Sequence, residues 1–213
     1  ALADDRADRE PLFLMMAALF SAETGVVGSL SLGRLDLALW IAIRERDRLM
    51  ALARSDGIDE SILPHLVARI TLSRGLSTSE LTDVVKEERT ALRLESGVAL
   101  QQVTAAVRDA LPLRATGEAF RLGFLEPDAV GEAFCLLTVT RLDAAAQQAL
   151  VRRCAARELT ATAQQLVLVV QDYARELRPS PTRDALTRRY SEMTKLHGWV
   201  GESNPAMKWL RTI

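Results

Sequence analysis

The chain has 213 residues, 48 % of them hydrophobic and 26 % charged, which is ordinary for a globular protein with one good core or two small ones. Only 5 % are aromatic while Leu, Ala and Arg dominate, a bias that disfavours a sheet protein and predicts a mostly α architecture. The net charge of −1 hides a basic tail, since residues 151–213 hold 11 Lys and Arg against 6 Asp and Glu, but that surplus is too sparse for a nucleic-acid footprint.

"PLFLMMAALFSAE" places Pro11 where a first-turn proline is tolerated and continues as a dense apolar helix to Gly25. Its apolar run, Leu12 to Phe20, falls short of the roughly 20 residues a membrane span needs, and no basic n-region precedes it. The opening "ALADDRADRE" lacks a methionine, so the chain is expected to be an excerpt of a longer polypeptide. From Arg34, "RLDLALWIAIRERDRLMALA" sets Leu35, Leu39, Ala42 and Ile43 on one helical face, and Gly57 closes the unit.

"SILPHLVARITLS" reads as the next helix, "RGLS" as its stop, and residues 79–95 as a helix capped by Ser77 or Thr78 with acids in its first turn. A further helix follows in "VALQQVTAAVRDAL", and then Phe120, Leu122 and Phe124 alternate with Arg121 and Gly123 at the period of a short two-stranded wing. Three helices and a wing predict a winged helix-turn-helix over residues 61–125, inside a mainly α helical bundle. Beyond it, "PDAVGEAFCLLTVTRL", "DAAAQQALVRRCAARE" and "TATAQQLVLVVQDYARELR" read as successive helices, "PSP" at 179–181 as a linker, and Pro205 as the start of a final helix after a break at Gly198 and Gly201.

No phosphate-binding G-x-x-x-x-G-K-[ST] loop and no H-E-x-x-H motif occurs, and His65 and His197 stand far apart in sequence. No catalytic residue and no metal ligand is therefore assigned, and whether the chain is part of an enzyme stays open. Cys135 and Cys154, both in apolar helical patterns, suggest neither a disulfide nor zinc and fit a reducing cytoplasm. The helix at 79–95 carries five acids against three bases, so DNA is not the expected partner of the helix-turn-helix. In "GFLEPDAVGEAF", Pro127 suits a first helical turn, Glu126 and Asp128 suit the positive end of its dipole, and Gly131 permits close approach to a neighbour. Glu132 is the polar residue to watch there.

The pieces "PLFLMMAAL", "RERDRL", "LPHLVARITLSRGLS" and "LGFLEPDAVGEAF", in that order over about residues 9–140, resemble the lid and winged-helix segment that follows the nucleotide-binding core of STAND NTPases, the NACHT-like signalling ATPases of bacterial defence and regulation. The resemblance implies that Pro11 is the lid proline touching the base of a bound adenine nucleotide, ATP or ADP, in the full-length protein; Arg9 stands where the family carries glycine. "HGWVGESNPAMKWLRTI" looks like the entry to an AAA+ or related NTPase module, which would make Trp199, Val200 and Gly201 base-side contacts. This gives a lid-like unit at 1–57, a winged helix at 58–140, a helical extension at 141–178, and at 179–213 a linker leading to the start of another module. The expected function is a nucleotide-gated regulatory switch in a cytoplasmic ATPase, with protein partners or self-association and no membrane. Two other readings stand beside it: a winged-helix transcription regulator and a helical interaction scaffold, the latter marked by stacked helix pairs with no wing at 111–125.

Overall fold

The computed structural model describes residues 11–25, 33–94, 99–116, 119–173 and 204–213. Their architecture is mainly helical, with a small three-stranded antiparallel sheet. Helix α1 (Pro11–Thr24) ends on Gly25 at φ +67°, and α2 (Arg34–Ser55) starts where the Asp36 carboxylate accepts the Gly33 N–H at 3.3 Å. Phe13, Met16, Ala17 and Phe20 of α1 are buried, and Phe20 meets Trp40 of α2 edge-on with ring centroids 5.1 Å apart.

Helix α3 (Ile62–Leu72) is buried from end to end, as its almost uninterrupted apolar sequence requires. Gly75 at φ +110° turns the chain out of α3 into strand β1 (Leu76–Ser77), and a Cβ there would lie 2.8 Å from the Leu122 carbonyl oxygen. Helices α4 (Leu81–Ala91) and α5 (Leu100–Ala110) follow, then the hairpin of β2 (Leu113–Thr116) and β3 (Ala119–Leu122). The strand order is β1-β3-β2, with Leu122 opposite both Leu76 and Leu113. The winged helix is as expected over these residues, except that "RGLS" turns α3 into β1 rather than directly into the next helix.

Two local expectations give way. Ser77 and Thr78 do not cap α4: Ser77 pairs with Arg121 in the sheet, the Thr78 hydroxyl donates to the Phe120 carbonyl at 3.1 Å, and the N-cap position falls to Glu80. Once β1 joins β3, those residues are committed to the sheet. The helix is also shorter than 79–95, because Arg93 at φ 55° has already left it.

Helix α6 (Asp128–Val139) is buried from Ala129 onward and packs against α2 and α3, which makes it the second central helix. Pro127 precedes it in extended conformation as the N-cap, so the first helical turn opens on Asp128 rather than on the proline. The two segments read as successive helices from Asp143 onward are both present in α7 (Ala144–Asp172), and non-helical backbone at Glu158 (φ −138°, ψ 68°) kinks the run where the first of them ends. Helix α8 (Pro205–Leu210) opens with Pro205 behind an Asn204 cap and packs on α7. The expected linker at 179–181 and the break at Gly198 and Gly201 lie outside the described residues. Among the described residues no helix is long and apolar enough to cross a membrane.

Candidate functional site

Pro11 stands exposed at the first position of α1, where its missing N–H leaves no hydrogen bond unmade. The helix behind it is apolar on both sides but buries only one. Leu12 is 39 % exposed, Met15 71 % and Leu19 42 %, along a stripe opposite the one that packs on α2. Arg34 stacks over Phe13 at 4.7 Å, and Arg44 stacks over Trp40 at 4.9 Å while pairing with Glu23 at 2.5 Å, so cations close the buried side of the α1–α2 pair and leave the apolar stripe open. Trp199, Val200 and Gly201 lie outside the described residues, so Pro11 is the one expected nucleotide contact whose surroundings are visible.

The stretch "GFLEPDAVGEAF" is a joint between the wing and α6. Glu126 reaches back to Arg114 of β2 at 2.5 Å, and Asp128 faces Arg74 at 3.6 Å. The Leu125 N–H donates to the Thr71 hydroxyl at 3.3 Å, and a Cβ on Gly131 would sit 2.6 Å from the Leu125 carbonyl oxygen, so only glycine lets α6 begin this close. Arg74, at φ 51°, stacks on Phe124 at 4.7 Å and donates to the Gln165 side chain at 2.8 Å. Behind this joint Glu132 is buried. Burial, foremost, and then the neighbouring Asp172 carboxylate, to which it is hydrogen-bonded, push its carboxyl up to about 9, with Asp128 adding to the effect and Arg74 opposing it. Glu132 thus keeps its proton at neutral pH. Its Oε2 and the hydroxyl of fully buried Tyr173 find no hydrogen-bond partner among the described residues.

A second polar centre lies where α3, α4 and α7 meet, built on Glu88, which has no exposed surface. The His65 Nε2 lies 2.7 Å from one carboxylate oxygen, Arg153 donates to both at 2.9 and 2.7 Å, and Arg69 closes the set while also reaching Glu87 at 2.6 Å. His65 is pushed down to about 4, first by burial and then by the charges of Arg153 and Arg69, so it stays neutral. Charge counting along residues 79–95 missed this centre. The available signal was spacing: Glu88 continues the stripe Leu81, Val84, Val85 at the next inward position of α4.

The helix-turn-helix pair is α4–α5, so the helix placed to enter a groove is α5 and not the acid-rich α4 on which the DNA reading was weighed. Helix α5 carries Arg108 beside Asp109 and no further charge, and the wing arginines Arg114 and Arg121 pair with Glu126 and Glu158. Among the described residues no group of three or more His, Cys, Asp and Glu is placed to hold a metal ion. The arrangement defines a mainly helical winged-helix protein with an apolar helix standing open at its amino-terminal side. No known family, curated protein or solved structure matches the chain.

Proposed function

We propose that these residues are the regulatory part of a STAND-type signalling ATPase that works in the cytoplasm. In this reading, a lid and winged helix hold a nucleotide-bound core closed until a trigger shifts the population toward an open assembly. The observation that carries it is α1: Pro11 heads a helix whose Leu12, Met15 and Leu19 face outward while Phe13, Met16 and Phe20 are packed. Covering each of those side chains stabilises a complex by on the order of 1 kcal/mol, which suits a seat for a protein surface rather than for solvent. The ATPase core, with its phosphate-binding loop and its ATP or ADP, would stand elsewhere in the polypeptide, and Pro11 would lie beside the adenine. The balanced charge of α5 and the paired wing arginines speak against phosphate-backbone binding, so DNA affinity is expected to be weak and salt-sensitive.

The test uses a polypeptide that joins this chain to an ATPase core. Pro11→Ala is expected to speed the loss of bound ADP several-fold while leaving the denaturant midpoint of the 213-residue chain in place. Unchanged ADP retention removes the lid assignment. Absence of nucleotide binding in that longer polypeptide removes the ATPase reading altogether.

A further inference from the structure

Helix α7 is held by two different sets of partners on either side of Glu158. Before it, Arg153 grips Glu88, Arg157 reaches Glu80 at 3.3 Å and Glu87 at 3.7 Å, and Leu150, Val151 and Cys154 are buried. After it, Leu166 and Val169 are buried, and the polar partners change: Gln165 accepts from Arg74 at 2.8 Å, Asp172 meets Glu132, and the Asn204 side-chain amide donates to the Val169 carbonyl at 3.3 Å. Three buried polar atoms along this second interface, the Thr162 hydroxyl, Glu132 Oε2 and the Tyr173 hydroxyl, find no hydrogen-bond partner among the described residues. Such atoms have lost water and gained nothing in return, so releasing the interface costs less than its area suggests. Between the two halves, Arg121 of the wing holds Glu158 at 3.4 Å, where both side chains are part-exposed. Helix α8 is anchored on the first half, where the Trp209 indole N–H donates to Gln147 at 3.0 Å, and it holds the second through Asn204.

We infer that α7 is a hinged element: residues 159–172 form an arm that undocks as a unit from Arg74 and α6 about Glu158, while residues 144–157 stay fixed to the winged helix. The wing senses the arm through the Arg121–Glu158 pair at the pivot, so an event at the β2–β3 hairpin biases the docked state. No proline or glycine causes the kink, so the break in the helical ladder at Glu158 and the change of partners there locate the pivot. This device depends on the contacts of α7 alone and stands whether or not a nucleotide core is part of the protein.

The test is hydrogen–deuterium exchange of the 213-residue chain, read by mass spectrometry on peptides from each half of α7. Residues 159–172 are expected to exchange roughly tenfold faster than 144–157. Gln165→Ala should raise that rate by a further factor of about five. Thr162→Val, which replaces an unpartnered hydroxyl with a methyl group, should lower it, with 144–157 unchanged in both variants. A common rate along the whole helix, or variants that shift both halves alike, overturns the hinge. If Gln165→Ala does not fold, Thr162→Val decides: slowing confined to 159–172 supports the arm, and an unchanged rate there refutes it.

Discussion

With a folded-state value near 9 against 4.5 for an ordinary carboxyl, Glu132 takes up a proton on folding at neutral pH. Its raised pKa makes a contribution that is fully present below 4.5 and is lost as pH rises toward 9, at about 1.4 kcal/mol per pH unit. His65 does the reverse. Depressed from 6.5 to about 4, it releases a proton on folding, and its contribution, present above 6.5, is lost as pH falls toward 4. The two slopes oppose each other between 4.5 and 6.5, where the wild-type chain should be nearly flat in stability, and only the Glu132 slope remains above that window. Glu132→Gln should therefore remove the decline above pH 6.5, stabilise the chain at pH 7 by up to about 3 kcal/mol, and expose a rise in stability between 4.5 and 6.5. His65→Gln, whose amide can still donate to Glu88, should expose a fall in the same window. Urea midpoints up to about pH 8, below the range where buried thiols titrate, check both, and two variants with the wild-type profile would sink the assignment.

Helices α3, α4 and α7 are joined by one carboxylate. Glu88 accepts from an imidazole and two guanidinium groups contributed by the other two helices, so removing it strands buried cations rather than a single contact. Glu88→Ala is expected to cost about 3 to 5 kcal/mol, enough to unfold a marginal domain, whereas Glu87→Ala, at a part-exposed position, should cost under about 1 kcal/mol. Equal midpoints for the two variants in chemical denaturation would contradict the hub. The element order of the winged helix was legible because its signals are local: a glycine after α3, an alternating wing, and apolar runs bounded by turns. Glu88 was not, because a charge count treats each acid on a helix alike and burial depends on which neighbours α3 and α7 bring. The kink at Glu158 falls where the sequence divides into the segments "DAAAQQALVRRCAARE" and "TATAQQLVLVVQDYARELR", although neither glycine nor proline marks it.

Two adjacent methionines separate what stabilises this chain from what it offers to others. Met16 is 4 % exposed and packed in the core, while Met15 is 71 % exposed on the open stripe of α1 with Leu12 and Leu19. A helix apolar on both faces normally lies between two partners, and α2 supplies one of them. If the other is a nucleotide-binding core, Met15 contributes to closure and not to folding. Met16→Ala should then cost about 2 to 4 kcal/mol in the 213-residue chain by emptying a packed site. Met15→Ser should change that stability by less than about 0.5 kcal/mol. In a polypeptide carrying the ATPase core the order reverses for nucleotide release: Met15→Ser weakens the seat and should raise the ADP dissociation rate roughly five- to tenfold, the equivalent of losing on the order of 1 kcal/mol of apolar contact. Stopped-flow release of a fluorescent ADP, run beside denaturant unfolding of both variants, separates the outcomes. An unchanged dissociation rate for Met15→Ser would leave the open stripe of α1 to some surface other than a nucleotide core, and the lid reading would fall with it.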